Sequence, residues 1–158
     1  MQVRIASLPE KLLVGMHSTT SQAEDNTRAL WQGFMPRRGE VAHRVGVDVI
    51  SVQQFDGALK PEDFTATTEW EKWAAVEVTQ LEAIPEGMEV LVLKPGKYGV
   101  FLHRGPASAF PRTMQFIFGE WLPQSEYELD NRERFEVLKP DYRPDDPDAE
   151  EEVWIPIV

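Results

Sequence analysis

The segment Glu133-Arg134-Phe135-Glu136-Val137-Leu138 decides how the C-terminal part of this chain folds. Apolar and charged residues alternate along it, which is typical of a β-strand whose successive side chains point to opposite faces. Glu136 is a carboxylate placed between two apolar neighbours in this strand. Aromatic residues precede and follow the strand in the sequence, at Trp121, Tyr127, Tyr142 and Trp154. We therefore expect the strand to form one half of a small-molecule cleft.

The pattern around this strand predicts one order of elements twice, namely strand, strand, helix, strand, strand. In the first copy the elements lie at 3–5, 12–17, 23–34, 47–55 and 70–79, and Pro36 ends the helix. In the second copy they lie at 88–93, 98–103, 105–121, 134–138 and 152–157, and Pro123 ends the helix. Lys94-Pro-Gly-Lys97 has the composition of a hairpin turn, so the strands on either side of it are expected to pair.

Short similar sequences support a duplication. Gly15-Met-His17 precedes a helix that ends in Trp31-Gln-Gly-Phe-Met-Pro36, and Phe101-Leu-His103 precedes one that ends in Phe118-Gly-Glu-Trp-Leu-Pro123. The interval from histidine to proline is 19 residues in the first case and 20 in the second. We therefore expect a single α+β domain over residues 1–158, with pseudo-repeat halves 1–80 and 86–158. Two helices would pack on a curved antiparallel sheet with a central cleft. Chance similarity between the halves is the alternative.

The composition disfavours several classes of protein. A chain of 158 residues with 42% hydrophobic content is ordinary for one globular domain. The formal net charge of −11 disfavours direct nucleic-acid binding, and the one basic group, Arg37-Arg38 with His43 and Arg44, is short. The chain has no cysteine, no apolar run of the ~18 residues that a membrane span needs, and no signal-peptide pattern. We expect an acidic cytoplasmic protein with no membrane partner.

The alternation of side chains places the candidate site residues on faces. Phe135 points to one face of its strand and Glu136 to the other. In the last strand, Trp154 faces opposite to Val153. If Phe135 and Val153 both pack under the helices, Glu136 and Trp154 share the opposite face.

A carboxylate among aromatic residues is costly when it is ionised and unpaired. We therefore expect Glu136 to have a raised pKa or a cationic partner. A ligand cation stacked on Trp154 or Trp121 would supply charge pairing, and a cation–π attraction of roughly 0.5–2 kcal/mol per aromatic contact. The alternative is an ordinary ion pair between Glu136 and Arg132 or Arg134 on a solvated face.

Other residues are weaker candidates. His17 and His103 occupy equivalent strand ends and could form a proton-transfer pair or bind a metal, but they lack metal-ligand spacing, and hydrogen bonds to the backbone are the simpler expectation. Trp31, Phe34 and Met35 could line the cleft, although an apolar helical stripe more often belongs to the core. No nucleotide-binding or phosphate loop and no Gly-x-Ser-x-Gly motif occurs, so no cofactor and no metal are expected.

Several motifs together resemble a known family. They are Pro85-Glu-Gly-Met88, Gly96-Lys-Tyr-Gly-Val-Phe101, Trp121-Leu-Pro123, Phe135-Glu136 and Glu152-Val-Trp-Ile-Pro-Ile157. Their order and spacing are similar to those of the GyrI-like small-molecule-binding domain, which also serves as the effector-binding module of some AraC-type and MerR-type transcription regulators. The resemblance covers nearly the whole chain, because Phe34-Met-Pro-Arg-Arg38 and Trp73-Ala-Ala-Val-Glu-Val78 also match one branch of stand-alone members.

The resemblance implies a cleft between two pseudo-symmetric halves that binds lipophilic, often cationic, compounds. In multidrug-responsive members a glutamate lies at the bottom of an aromatic pocket, and the matching residue here is Glu136. Trp154 and Trp121 are carried over as aromatic positions of the pocket, and Tyr98, Phe101 and Tyr127 complete the ligand-binding candidates. No helix-turn-helix segment fits the sequence, which puts direct transcriptional activation in doubt.

Three functional hypotheses follow. The first is a stand-alone binding protein that senses or sequesters a hydrophobic, cationic small molecule. The second is an enzyme, because some GyrI-like proteins hydrolyse reactive electrophiles and Glu136 could activate water or protonate a leaving group. The third is an interaction module whose acidic surface binds a protein partner, either a regulator or gyrase. Binding is favoured over catalysis.

Overall fold

The computed structural model describes residues 1–158 and contains eight strands. They are β1 (Val3–Leu8), β2 (Lys11–Thr20), β3 (Val49–Gln54), β4 (Trp70–Val78), β5 (Glu89–Leu93), β6 (Gly96–Arg104), β7 (Arg134–Leu138) and β8 (Glu150–Ile157). Helix α1 (Thr27–Phe34) continues into a 3-10 turn at Met35–Glu40. A second helical segment consists of α2 (Phe110–Gln115), a π-helical stretch (Phe116–Trp121) and α3 (Leu122–Gln124). None of the helices has the length and apolar character needed to cross a lipid bilayer.

All eight strands pair antiparallel in one sheet with the order β1-β6-β8-β7-β3-β4-β2-β5. The counterparts in the two halves are β1 and β5, β2 and β6, β3 and β7, and β4 and β8. If each strand is replaced by its counterpart and the list is read backwards, the same order results. The expected α+β class, with two helical segments on a curved antiparallel sheet, is thereby confirmed. The symmetric order is what a duplication of halves 1–80 and 86–158 would produce, and that duplication stays a prediction.

The hairpin expected at Lys94-Pro-Gly-Lys97 does not form. Strand β5 pairs with β2, whereas β6 pairs with β1 and β8. Only Lys94 and Pro95 separate β5 from β6, and such a short link spans at most about 10 Å. Because β5 is one edge strand and β6 lies beside the other, the sheet must curve until its two edges approach each other. A turn sequence identifies where the chain reverses but not which strand becomes the partner.

The two faces of the sheet carry different cores. The helix-free face is concave, because side chains from β5 and β6 meet there in one cluster with Tyr98, Phe135 and Trp154. On the helix-bearing face, Phe34 of α1 packs on strands β2 and β4. Ile117 of the second helical segment packs on β6 and β8 on the same face. Strands β3 and β7, at the middle of the sheet, therefore lie between the two helical segments.

The helix boundaries differ from those predicted. Helix α1 begins at Thr27 rather than at residue 23, because the Ser21 hydroxyl accepts the Glu24 N–H and holds the intervening residues in turns. Pro36 does not end the helical path, since it lies in the first turn of the 3-10 segment, where its missing N–H costs little. The π-helical stretch at Phe116–Trp121 was not predicted, and such stretches frequently occur at functional sites.

Candidate functional site

A cavity of about 1370 Å³ opens between the two helical segments on the helix-bearing face. Its floor is formed by side chains of the central strands, chiefly Ser51, Gln53, Lys72 and Glu136. Its walls come from α1 and the turn after it, from the start of the second helical segment, and from two loops. The larger wall residues are Trp31, Met35, Phe55, Phe64, Trp70, Phe110, Met114 and Tyr142. The cavity is large enough for a drug-sized molecule and combines apolar walls with a few polar groups, as ligand pockets do.

Glu136 and Trp154 lie on opposite faces of the sheet, so the expectation that they share a face was wrong. In the register of β7 and β8, Phe135 lies opposite Trp154, and Glu136 lies opposite Val153. Directly opposed residues of antiparallel strands share a face, and the rings of Phe135 and Trp154 are stacked with centroids 5.4 Å apart. The expectation assumed that Phe135 and Val153 pack together under the helices. Only Val153 does so.

Glu136 is bound into a polar network on the cavity floor. Gln53 Nε2 donates a hydrogen bond to Glu136 Oε1 at 3.0 Å and also contacts the Ser51 hydroxyl at 3.2 Å. Lys72 Nζ donates to Ser51 Oγ at 2.5 Å and lies 3.9 Å from Glu136 Oε1. The Glu136 side chain is 11% exposed. The alternative of a solvated ion pair with Arg132 or Arg134 is therefore wrong, because the ion-pair partner is Lys72 and the carboxylate is nearly buried. The charge of Arg134 acts on Glu136 as a weaker influence.

Burial changes the proton affinities of this network. It raises the pKa of Glu136, and the charge of Lys72 offsets only part of that effect. Burial lowers the pKa of Lys72, against the opposing charges of Glu136, Glu151 and Asp25. Burial, with the charge of Glu136 second, raises the pKa of Glu151 to about 7. Glu136 thus has both features expected from the sequence, a raised pKa and a cationic partner.

One wall of the cavity is built from three aromatic rings. Phe55, Phe64 and Trp70 lie with ring centroids 5.1 to 6.0 Å apart. The guanidinium of Arg134 covers Phe55 at 4.5 Å from the ring centroid, so this wall already makes a cation–π contact. Burial lowers the pKa of Arg134 to about 10. The indole N–H of Trp70 is buried without a hydrogen-bond partner in the protein, which leaves one donor at this wall unused.

Of the six predicted ligand-binding residues, the structure places only Glu136 on the cavity. Tyr98 and Trp154 belong to the core of the helix-free face. Phe101, Trp121 and Tyr127 form a cluster beneath the second helical segment, with Phe101 and Trp121 at 5.0 Å and Trp121 and Tyr127 at 6.2 Å. These five residues lie outside the cavity lining.

Some cavity residues escaped the sequence analysis although their positions were informative. Lys72 is in phase with Ala74, Val76 and Val78, so a lysine occupies the position that the alternation of β4 reserves for an apolar residue. On β3, Ser51 and Gln53 follow Val49 on the same face, so this face also changes from apolar to polar. Polar residues at the apolar phase of adjacent strands would have indicated the polar floor. Trp31 and Met35 were weighed as cleft residues and do line the cavity, whereas Phe34 belongs to the core.

The two histidines do not form a pair. His17 lies between Glu71 and Glu89 and stacks on Trp73 with ring centroids 4.3 Å apart. Burial lowers the pKa of His17, but the hydrogen bonds to both carboxylates outweigh it and leave the pKa raised. His103 Nδ1 lies 2.5 Å from Thr113 Oγ1. The expected backbone hydrogen bonds are therefore absent at His17, whose partners are side chains, whereas His103 Nε2 also lies 3.4 Å from the Pro106 carbonyl oxygen. No group of three histidine, aspartate or glutamate side chains is arranged to hold a metal ion.

A curated protein is similar to this chain in sequence. The transcriptional regulator BrlR of Pseudomonas aeruginosa is 30% identical over 161 residues, covering 99% of this chain and 56% of BrlR. The chain therefore spans about half the length of that curated relative.

Solved structures share the fold. A protein from Staphylococcus aureus MU50 superposes with a TM-score of 0.72 at 18% identity, covering 99% of this chain and 98% of that one. SAV2435 bound to tetraphenylphosphonium superposes with a TM-score of 0.73 at 19% identity, covering 100% and 94% of the two chains. The family model of the GyrI-like small molecule binding domain matches residues 1–158, and this chain belongs to that family.

Proposed function

We propose that this chain binds a hydrophobic, positively charged small molecule in the cavity, with the charge of the ligand close to Glu136. The observation that carries the proposal is a nearly buried carboxylate on the floor of a large cavity with aromatic walls. A carboxylate in such a place is costly to ionise unless a cation compensates it. Aromatic rings beside it attract the same cation through their faces.

Two further features support a cationic ligand. The negative charge of Glu136 is the second cause, after burial, of the raised pKa of Glu151, so a ligand cation would relieve the repulsion between these two carboxylates. The aromatic wall already holds the Arg134 guanidinium at cation–π distance, which indicates that such rings suit a cation, although this guanidinium itself repels a second positive charge. SAV2435, which shares this fold, was solved with the lipophilic cation tetraphenylphosphonium, so that ion is a suitable first probe for this cavity.

The use of such binding would be sensing or sequestration of toxic, multidrug-like compounds in the cytoplasm. The similarity to BrlR relates the chain to a transcriptional regulator, but the matched region is 56% of BrlR. Any effect of this chain on transcription would therefore pass through a protein partner or through further protein segments. The proposal for these residues is ligand binding itself.

The test is a fluorescence titration with tetraphenylphosphonium and with the neutral triphenylphosphine oxide. Trp31 and Trp70 line the cavity and report on an occupant. Glu136→Gln keeps the shape of the side chain and removes its charge. We expect the phosphonium to bind about tenfold or more weakly to this variant, a loss of ~1.4 kcal/mol, and the neutral compound to change much less.

Glu77→Gln is the matched control, because Glu77 pairs with Lys11 at 3.0 Å outside the cavity. It is expected to leave both affinities within about twofold, or ~0.4 kcal/mol. Equal phosphonium binding by wild type and Glu136→Gln, or no binding of either probe, would overturn the proposal.

Hydrolysis of a reactive electrophile is the second candidate. The observation that favours it is the pKa of about 7 at Glu151, which suits a general acid or base at neutral pH and occurs beside Glu136 on the cavity floor. Incubation with an activated cyclopropane and mass spectrometry of the products would test it. Turnover that is lost in both Glu136→Gln and Glu151→Gln would support an enzyme, whereas turnover no faster than in buffer would exclude this class of substrate.

A further inference from the structure

We propose that Lys72 is a resident counter-ion that occupies the position of a ligand cation at Glu136 and thereby sets the charge preference of the cavity. The inference rests on the proposed binding function and assigns a specificity-determining residue to the same site. It predicts that the wild-type cavity prefers a cation over an anion of the same shape, but less strongly than it would without Lys72. It also predicts that removal of Lys72 makes the cavity strongly selective for cations.

The position of Lys72 is the first support. Lys72 belongs to β4 and Glu136 to β7, and β3 lies between these strands. The lysine side chain therefore reaches across β3, past Ser51, to bring its ammonium to 3.9 Å from Glu136 Oε1. Lys72, Ser51 and Glu136 all line the cavity. The ammonium thus lies where the positive centre of a ligand would approach the carboxylate.

The second support is the long distance between the Lys72 ammonium and the Glu136 carboxylate. An N–H···O hydrogen bond usually measures about 2.7–3.2 Å, so the 3.9 Å between Lys72 Nζ and Glu136 Oε1 is an ion pair without a direct hydrogen bond. The short hydrogen bond of the ammonium goes to Ser51 instead, at 2.5 Å. Glu136 keeps its own hydrogen bond from Gln53. A ligand cation can therefore take over the charge pairing without first breaking a direct hydrogen bond between Lys72 and Glu136.

The third support is the free energy that it costs to bury the charged Lys72 side chain. Its neighbours on the same face of β4 are Ala74, Val76 and Val78, so an apolar residue would continue the pattern. Replacing buried ion pairs by apolar residues is often neutral or stabilising, which makes such a pair weak evidence for a purely structural role. Besides Glu136, the carboxylates of Glu151 and Asp25 also act on the ammonium, so its surroundings are rich in groups that favour a cation. A charge that is expensive for the fold and lies in a ligand cavity is better explained by ligand selection.

The consequence for binding follows from electrostatics. A cation that enters near Glu136 is attracted by the carboxylate and repelled by the Lys72 ammonium, and both effects exceed those at the surface because each side chain is only 11% exposed. An anion of the same shape experiences both effects with opposite sign. Burial already lowers the pKa of Lys72, and an entering cation lowers it further. The fold therefore opposes cation binding with a charge of its own.

Tetraphenylphosphonium and tetraphenylborate provide the test, because they have nearly the same shape and opposite charge. The measured quantity is the ratio of the two dissociation constants, borate over phosphonium, at pH 8. We expect Lys72→Met to raise this ratio by about tenfold or more, or ~1.4 kcal/mol, and Glu136→Gln to lower it. The double variant, which removes both charges, is expected to return the ratio to within about threefold of wild type, or ~0.7 kcal/mol.

The control is Lys11→Met, which removes a lysine from a similar ion pair outside the cavity. Its ratio should stay within about twofold of wild type, or ~0.4 kcal/mol. If Lys72→Met fails to fold, Lys72→Gln, which can still hydrogen-bond to Ser51, takes its place. The proposal for Lys72 would be overturned if its variant left the ratio unchanged or lowered it, or if Lys11→Met raised the ratio equally. In either case the binding function would still stand if Glu136→Gln weakened phosphonium binding. If no variant binds either ion, the binding function itself fails.

Discussion

The pH dependence of stability at Glu151 measures how strongly burial on the cavity floor disfavours a charged carboxylate. The side chain lies on β8, the residue is 8% exposed, and burial raises its pKa from 4.5 to about 7, with the charge of Glu136 as the second cause. Lys72 and Tyr142 act in the opposite direction without cancelling the effect. Because one pKa unit corresponds to about 1.4 kcal/mol, the shift lowers the free energy of unfolding by about 3 kcal/mol once Glu151 is ionised in the folded protein.

The sign follows from the two states of the chain. Below pH 4.5 the carboxyl group is protonated in the folded and in the unfolded protein, so it costs nothing. Between pH 4.5 and about 7 it ionises only in the unfolded protein, and the free energy of unfolding falls as the pH rises. Glu151→Gln stays neutral throughout. We therefore expect this variant to gain about 3 kcal/mol relative to wild type between pH 4.5 and pH 8.

Urea unfolding of wild type and Glu151→Gln at both pH values measures this gain. The matched control is Glu150→Gln, since Glu150 is the neighbouring residue of the same strand and its side chain is 46% exposed. The control should show the same difference from wild type at both pH values within about 0.5 kcal/mol. The reasoning is refuted if Glu151→Gln also shows no pH-dependent gain, or if it is the less stable protein at pH 8.

Three further predictions concern the cavity, the core and the sheet. Cation affinity should rise between pH 6 and pH 8, because Glu151 ionises with a pKa of about 7 and favours a cation only when charged, and Glu151→Gln should flatten this profile in a fluorescence titration. Trp154→Ala should lower the free energy of unfolding by about 3–5 kcal/mol with little effect on phosphonium affinity, because Trp154 belongs to the core of the helix-free face. Trp70→Ala should weaken phosphonium binding, because Trp70 lines the cavity. Loss of phosphonium binding in Trp154→Ala but not in Trp70→Ala would place the site on the helix-free face. Gly96→Ala should cost about 1–3 kcal/mol in urea unfolding, because its Cβ would lie 2.5 Å from Nη1 of Arg132, a side chain held by hydrogen bonds to the Lys97 and Ile157 carbonyls. An unchanged midpoint would contradict this packing of Arg132 against β6.

The sequence predicted the order of elements well because alternation and helical periodicity are local properties. The eight strands, the two helical segments and their α+β arrangement were all expected. Pairing was predicted less well, because it depends on the curvature of the whole sheet. The link at Lys94 and Pro95 has the composition of a hairpin, yet β5 and β6 bond to different neighbours.

The candidate site, like the fold, was predicted only in part from the sequence. Glu136 could be singled out because a carboxylate between apolar residues is a local pattern. Whether Trp154 lies beside it could not be deduced, because a shift of one residue in the register of β7 and β8 exchanges the faces of all their side chains. The register that aligns Phe135 with Trp154 moves the tryptophan to the other face. The aromatic wall of Phe55, Phe64 and Trp70 and the ion pair with Lys72 depend on contacts between distant segments, which only the fold defines.

The measurement that tests the central claim most directly is a crystal structure of the protein with tetraphenylarsonium. This ion resembles tetraphenylphosphonium, and its arsenic atom can be located by anomalous scattering. The account predicts an arsenic peak in the cavity between α1 and α2, within about 6 Å of the Glu136 carboxylate. A peak on the helix-free face beside Tyr98 and Trp154, or no bound ion at saturating concentration, would contradict it.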